Sequence, residues 1–325
     1  MLTAALPSCN RRTSSATMID FLAKTDTLAV KKVPTTVPLL MPTRLVMAGD
    51  DLVLYQFMTE TPFVLFNRLP GGECFYAGHI GRGPEDVLSP DPRSFRQTAD
   101  GFEFVEQDGM IKSAKMVEGK LRLANSGKVS IGTDPTNGIL KIGQHWLNMN
   151  QSDNVFEYRM FNSDGSDPKN FSPYPTWLSG KTEMLPLFAY VKTLTVQPSG
   201  QHFAAFYARY RAFRIFGQDG NCLVERQVDF PDAASSHDDR FVAYSAPVSD
   251  ERMIFALCRN ESKDREACPE VHVWDWEGNL LRRLVLPCSA DICTVDFRGK
   301  MLYACTVRDP DNLYVADLST VEGLM

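Results

Sequence analysis

Seven charged and aromatic residues have side chains suited to contact a ligand, and they lie in three segments of the sequence. They are Arg82, Glu85, Asp86, Tyr174, Trp177, Arg209 and Arg211. Guanidinium groups bind carboxylates through paired hydrogen bonds, and aromatic rings offer flat contact surfaces to sugars and peptides. We therefore predict that these residues contribute to ligand binding. The alternative for the first segment is an ion pair between Arg82 and Glu85 that only fixes a loop.

Signals for catalysis are weaker. The five histidines are scattered along the chain, and the sharpest cluster is His237 with Asp238 and Asp239. An imidazole beside carboxylates can act as a general base or bind a cation, but the Ser-rich surroundings favour a solvated turn. The sequence has neither a Gly-x-Ser-x-Gly motif nor a Gly-x-x-x-x-Gly-Lys phosphate loop. We predict no catalytic residue, and the sequence favours a protein without enzymatic activity over an enzyme.

The eight cysteines give no metal-binding pattern, because no Cys-x-x-Cys pair occurs. Cys258 and Cys268 lie at the two ends of a polar insert that reads as the loop of a hairpin. Facing positions at the foot of a hairpin are about 5 Å apart, which is close enough for a disulfide in an oxidising compartment. We predict this pair as a disulfide candidate.

Short alternating strands that meet at turns repeat along the chain. Six such hairpins centre on Glu60, Asp100, Ser152, Tyr210, the insert 260–266 and Pro310. Their mean spacing of about 50 residues matches a propeller blade of four short strands. A second marker, aromatic-x-x-acid-Gly, ends at Gly165, Gly220 and Gly278 with a similar period. We predict an all-β, six-bladed β-propeller with four-stranded antiparallel blades.

The last repeat ends soon after its third strand, so we expect a strand within residues 27–33 to complete that blade and close the ring. Alternatives are a seventh blade hidden in residues 112–142 and a β-sandwich. In a propeller, hairpin tips and the connections between blades share one face, and the seven candidate residues fall in those segments. We therefore expect a ligand to bind at that face.

The first residues of the sequence predict the cellular localisation. Leu6-Pro-Ser-Cys9 has the order of a lipobox, in which a small residue precedes a Cys that is lipidated, and a polar stretch follows it. The eight residues before Cys9 are too few for a full signal peptide, so the reading requires a start codon upstream. We predict a truncated signal and tether over 1–25 and one propeller domain over 26–325. The alternative is a cytoplasmic protein in which Cys9 is incidental.

The run Gly-His-Ile-Gly-Arg-Gly-Pro-Glu-Asp at 78–86 resembles the Gly-x-Gly-Pro-x-Glu segment of bacterial six-bladed propellers described as TolB-like. The repeated aromatic-x-x-acid-Gly turns are similar as well. The resemblance implies the propeller fold. It also implies an exported or lipid-anchored protein of the cell envelope, periplasmic or at the outer membrane, and it implies no particular activity.

Composition narrows the choice of partner. Lys and Arg number 34 against 40 Asp and Glu, which gives a net charge of −6 and argues against nucleic acid as a partner. No apolar stretch is long enough to cross a bilayer. We predict a binding or scaffold module for a peptide, glycan or protein partner. The alternatives are a hydrolase or lactonase that uses calcium held by oxygen ligands, and a cytoplasmic interaction platform.

Overall fold

The computed structural model of the chain is a ring of six antiparallel sheets, with almost no helix. It describes residues 17–18, 25–67, 73–131, 137–150, 154–177, 184–229, 242–261 and 269–324. The predicted all-β, six-bladed propeller with four-stranded blades is therefore confirmed. Two blades carry one additional short strand at the rim, which pairs in parallel.

The strands follow the chain from blade to blade. Before blade 1 come β1 (Thr17–Met18), β2 (Thr25–Thr27) and β3 (Val30–Pro34). Blade 1 contains β4 (Pro42–Ala48), β5 (Asp51–Gln56), β6 (Phe63–Phe66) and β7 (Cys74–Ala77). Blade 2 contains β8 (Arg96–Gln97), β9 (Gly101–Val105), β10 (Met110–Val117) and β11 (Lys120–Lys128). Blade 3 contains β12 (Leu140–Ile142), β13 (His145–Met149), β14 (Phe156–Phe161) and β15 (Lys169–Pro173).

The second half of the ring follows a helical turn, α1 (Pro186–Ala189). Blade 4 contains β16 (Lys192–Val196), β17 (His202–Tyr207), β18 (Ala212–Gly217) and β19 (Cys222–Asp229). Blade 5 contains β20 (Val242–Ser249), β21 (Met253–Glu261), β22 (Glu270–Asp275) and β23 (Leu280–Val285). Blade 6 contains β24 (Ile292–Asp296), β25 (Met301–Cys305) and β26 (Asn312–Asp317), and a 3₁₀ turn follows at Leu318–Thr320. No described helix is long and apolar enough to span a membrane.

The fourth strand of blade 6 is β3, from near the start of the chain. It pairs antiparallel with β26, with Val33 opposite Leu313 and Val30 opposite Ala316. Lys32 adds an ion pair to Asp309 at 2.8 Å. Strands β1 and β2 lie parallel to β19 and β23, so the N-terminal segment contacts the outer edges of blades 4, 5 and 6 in turn.

The core lies between neighbouring blades as six apolar clusters, one at each of the six blade interfaces. Alternation along each strand sends side chains to both faces of its sheet, so every blade packs against two neighbours. At the interface of blades 3 and 4, for example, Phe203 and Phe216 stack at 4.7 Å and Tyr158 meets both rings edge-on. Each fully buried ring contributes roughly 1.5–3 kcal/mol.

Because the strands of each blade are antiparallel, the loops that connect them lie alternately on two opposite faces of the ring. The hairpin face, as we name it, carries the loop between the second and third strands of each blade and the connections between blades. The turn face carries the turns between first and second and between third and fourth strands. The repeated turn marker predicts positive φ at three glycines in turns between third and fourth strands. Gly165, Gly220 and Gly278 have φ values of 82°, 83° and 79° there.

Blade 2 departs from the sequence prediction. The turn at Asp100 joins its first and second strands, whereas the loop equivalent to the other hairpins is at 106–109. The prediction was wrong because β8 has only two residues, so the alternation of β9 looks like a third strand. Residues 112–142 do hold a further hairpin, β10–β11, but it is the outer half of blade 2. Most of β11 is exposed and polar, which hid it in the sequence.

Candidate ligand-binding site

A cavity of about 220 Å³ lies at the hairpin face of blades 3 and 4. We call it the face pocket. Its wall includes Arg93, Asn150, Glu157, Tyr174, Tyr190 and Lys192. These residues come from strand ends and from inter-blade connections, which is where the propeller geometry brings distant parts of the chain together. Typical ligand pockets measure about 300–1,000 Å³, so this one has room for a single sugar ring or side chain.

Glu157 is the polar centre of the face pocket and is completely buried. Its carboxylate accepts hydrogen bonds from Lys192 Nζ at 2.6 Å, from the Tyr207 hydroxyl at 2.8 Å and from Arg214 Nη1 at 2.9 Å. Ser172 Oγ donates a fourth at 3.2 Å. Three strands and the end of a fourth are thereby tied to one carboxylate. A buried carboxylate with several donors is held in one orientation, so the floor of the pocket is preorganised.

The network continues from Glu157 to the outer part of blade 4. Arg214 Nε donates to Glu225 Oε2 at 2.7 Å, and Glu225 Oε1 accepts from the indole N–H of Trp177 at 3.1 Å. The guanidinium also lies over the Trp177 ring at 5.6 Å. Cations and carboxylates alternate in this network, in the order Lys192, Glu157, Arg214, Glu225. Each charge therefore has an opposite charge beside it.

Aromatic rings cover the network toward solvent. The cluster comprises Tyr174, Trp177, Tyr190, Tyr207 and Tyr210. Tyr174 stacks on Tyr190 at 5.8 Å, and Trp177 meets Tyr207 edge-on at 4.9 Å. Lys192 Nζ lies 5.2 Å from the Tyr174 ring centre, a cation–π distance. The pocket therefore combines flat aromatic walls with a floor of paired charges.

Burial sets the protonation behaviour of this cluster. Desolvation lowers the pKa of Lys192, and the hydrogen-bonded Glu157 opposes that shift. Burial raises the pKa of Tyr207 well above its usual value, and the Glu157 charge adds to the effect. The Tyr207 hydroxyl therefore stays protonated and acts as a donor at neutral pH. Arg93, also on the wall, donates to Asn137 Oδ1.

The rim of the face pocket is apolar. Met184, Leu185 and Phe188, in and next to α1, are 41%, 50% and 54% exposed. Pro186 begins the helical turn, because its fixed φ suits a first helical position. Large apolar side chains that are this exposed and adjacent to a cavity are typical of interaction surfaces.

A second cavity, of about 480 Å³, runs along the ring axis. Its lining includes a residue from the innermost strand of every blade: Arg44, Arg96, Leu140, Leu194, Val248 and Thr294. We call it the central channel. Thr195 and Ser249 hydroxyls meet across its wall at 2.9 Å.

The first predicted segment lies away from the face pocket, against blade 2. Asp86 accepts the Gly83 N–H at 2.9 Å, and a Cβ on Gly83 would lie 2.6 Å from Asp86 Oδ2, which explains the glycine. Glu85 forms an exposed ion pair with Arg122 at 3.4 Å. Arg82 is exposed. Among the described residues, Arg82 and Glu85 do not form the ion pair that was considered as the alternative. Asp86 and the two Lys112 bonds to the carbonyls of Gly83 and Pro84 fix the loop instead.

The structure brings two of the three segments together. Tyr174 and Trp177 belong to the aromatic cluster, and the loop with Arg209 joins it through Tyr210, whose ring lies 5.5 Å from that of Tyr190. Arg211 lies toward blade 5, where its charge influences Tyr244 and His272. All seven residues remain predictions as ligand contacts.

Several predicted residues fall outside the described part of the chain. Cys9, Cys268 and His237 with its two aspartates belong to this group. Cys258 is buried in the interface of blades 4 and 5, and its pairing with Cys268 stays a prediction. His272 is buried and hydrogen-bonded to Tyr244 and Glu270, and His202 to Gln197, as structural histidines would be.

The sequence reasoning missed Glu157, Lys192 and Arg214. A signal was available for two of them, since Glu157 and Arg214 are each flanked on both sides by apolar or aromatic residues, in Phe-Glu-Tyr and Phe-Arg-Ile. A lone charge in a buried strand needs a partner, and here the partners are one another. Their separation of up to 57 residues hid the pairing.

In the described residues no group of three or more His, Cys, Asp or Glu side chains is placed to hold a metal ion. The calcium alternative would need several oxygen ligands on one ion. In the face pocket the one central carboxylate, Glu157, is occupied by two cations.

Comparison with solved structures supports the fold. A member of the duf4221 family from Bacteroides vulgatus is similar, with a TM-score of 0.53 and 10% identity over 90% of this chain and 96% of that one. A gluconolactonase from Xanthomonas campestris gives 0.48 and 12% identity over 90% and 98%. The β-propeller domain of Swd1 from Myceliophteria thermophila gives 0.44 and 10% identity over 89% and 99%. Of the three, only the first has a TM-score above 0.5, and at 10% identity it supports the fold alone.

No protein-family model matches the sequence, and no curated protein matches it. The TolB-like assignment therefore stays a prediction.

Proposed function

We propose that this propeller is a binding module that recognises a peptide, glycan or protein partner through the face pocket. One observation carries the proposal: Glu157, Lys192 and Arg214 form a buried, fully bonded network beneath a recess whose walls are Tyr174 and Tyr190. Such a network costs desolvation energy and is not needed for blade packing, which the apolar clusters already provide. A recess built in this way is suited to a fixed ligand geometry.

The proposed mode of recognition follows from size and chemistry. The pocket accepts one ring or side chain of the partner against the tyrosine faces, as sugars and aromatic residues pack. Lys192 and Arg93 favour an electron-rich group on that moiety, such as a hydroxyl, carbonyl or carboxylate. The exposed Leu185 and Phe188 then contact the rest of a larger partner.

We also propose that the protein acts in the cell envelope as a lipid-anchored module. Support comes from Leu6-Pro-Ser-Cys9, from the polar stretch after it and from the TolB-like resemblance. The test is metabolic labelling with a fatty acid in a bacterial host, using the full open reading frame with its upstream codons. We expect label on the wild type and none on Cys9→Ser. Absence of label on both, or an upstream sequence without an in-frame basic and apolar segment, contradicts the anchor.

The binding proposal is tested on glycan and peptide arrays probed with the full chain. Tyr174→Ala removes a wall of the face pocket, and we expect the signals of bound spots to fall about tenfold or more. Tyr76→Ala, which removes a half-buried tyrosine on the outer strand of blade 1, is the matched control and should keep them. Signals that survive Tyr174→Ala would place recognition elsewhere.

A further inference from the structure

A cation of the central channel lacks the partners that other buried charges have. Arg44 lies on β4, the innermost strand of blade 1, and lines the channel. Its Nε is buried and unbonded, and the guanidinium has neither a hydrogen-bond nor an ion-pair partner among the described residues. Lys192 and Arg214, by contrast, each contact a carboxylate within 3 Å.

Desolvation changes the pKa of this guanidinium. Desolvation lowers the pKa of Arg44 to about 10, and the electrostatic effect of Cys293 opposes that shift. That value still leaves Arg44 charged at neutral pH. Arg44 is half-buried as a residue, and its Nε is shielded from solvent without a hydrogen-bond partner. A guanidinium held in this way without a counter-charge is costly, and proteins usually pair such a charge. The described residues supply no counter-charge, so the side of the guanidinium that lines the channel is available to an anion from solution.

The rest of the channel wall suits an anion. Arg96 adds a second guanidinium, held by Glu103 at 2.7 Å. The single carboxylate of the lining, Asp250, is turned to its own loop, where it accepts the N–H groups of Arg252 and Met253 at 2.7 and 2.6 Å. Thr98 and Thr294 present hydroxyls that have no side-chain partner in the described structure.

We propose that the central channel binds a small anionic molecule whose carboxylate or phosphoryl group pairs with Arg44. A guanidinium presents a planar fork of N–H donors that matches either group. The volume of about 480 Å³ falls in the range of small-molecule sites and exceeds that of a lone inorganic ion. The site is separate from the face pocket, and the proposal does not depend on the function proposed above.

The test compares anions at constant ionic strength on the full-length protein. Melting temperature is measured with inorganic phosphate or succinate against sodium chloride, and both anions are titrated calorimetrically. We expect at least one to raise the wild-type melting temperature by roughly 3 °C at a concentration well above its Kd. Phosphate alone indicates a phosphoryl ligand, and succinate alone indicates a carboxylate.

Arg44→Met is the decisive variant. It removes an unpaired charge, so the protein should melt at or above the wild-type temperature in chloride, and the anion-dependent rise and the calorimetric signal should disappear. Arg252→Met removes an exposed arginine from the turn between the first two strands of blade 5, next to Asp250 of the lining, and controls for general salt effects, which phosphate also exerts. The proposal is overturned if neither anion acts on the wild type, or if the effect persists in Arg44→Met.

Discussion

At the scale of single residues, the buried Glu157 network makes an asymmetric prediction about stability. Glu157→Gln removes the carboxylate that two cations share. Lys192 then loses its carboxylate partner, and Arg214 keeps only the half-buried Glu225. We expect a loss of about 3–5 kcal/mol in the free energy of unfolding. Lys192→Met should cost clearly less, because Glu157 keeps Arg214, Tyr207 and Ser172. Urea denaturation of both variants measures the difference, and equal costs would contradict the shared-carboxylate arrangement.

Glu270 predicts how acid affects the protein. Burial alone would raise its pKa, but hydrogen bonds from Arg283 and His272 lower it to about 2, from 4.5. The folded state therefore favours the ionised form. This stabilisation is present above about pH 4.5 and is lost as the pH falls toward 2, with an upper limit on the order of 3 kcal/mol.

The measurement is the free energy of unfolding as a function of pH, with Glu270→Gln as the comparison. We expect the gap between wild type and variant to narrow as the pH falls from about 5 to 2. His272 is buried, and desolvation lowers its pKa below the usual 6.5. Below about pH 6.5 the unfolded state therefore takes up a proton that the folded state does not, which also destabilises the fold in acid. A difference in unfolding free energy that does not change with pH would show that these contacts do not lower the pKa of Glu270.

At the scale of elements, the turns between third and fourth strands depend on glycine to different degrees. Gly220 has a φ of 83°, and a Cβ there would lie 2.8 Å from the Phe171 ring. Gly119 has a φ of 73° with nothing within 4 Å of its Cβ position. Both alanine variants should lose about 1–2 kcal/mol through backbone strain.

Gly220→Ala should lose more than Gly119→Ala, because it must also displace a ring packed between blades 3 and 4. Thermal and chemical denaturation of the two variants give the comparison. Equal losses would mean that the ring moves at no cost, and that the two blades are less tightly packed than described.

The elements were largely predictable from sequence because local chemistry decides them. The acid-Gly turn marker works because positive φ selects glycine, whatever the rest of the chain does. Prediction failed in blade 2, where β8 is too short to alternate and β11 is too exposed to look like a strand. Pattern reading detects a strand only when one of its faces is buried along several residues.

At the scale of the whole molecule, β3 completes blade 6 and contributes to its interfaces. Deleting residues 1–34 would remove β3 together with the buried Leu28 and Val33, a loss of about 3–6 kcal/mol before exposure of the β26 edge is counted. We expect a large drop in melting temperature or in soluble yield. Deleting residues 1–24 is the control and should have a much smaller effect. Similar melting of both truncations would show that β3 does not stabilise the ring.

The site was less predictable than the fold. Tyr174 and Trp177 could be chosen because aromatic residues in a long connection are conspicuous. Glu157, Lys192 and Arg214 could not be grouped, because they come from three strands in two blades and meet only when blade 3 packs against blade 4. Arg44 likewise becomes notable only when the absence of a partner is visible.

The central claim is that the face pocket is the place where the partner binds. Crystals soaked with neutral monosaccharides and acetylated dipeptides test it most directly. We predict electron density for one ring or side chain against Tyr174 and Tyr190, with its polar atoms toward Lys192. Density for these compounds only outside that cavity, for instance in the central channel, would contradict the claim.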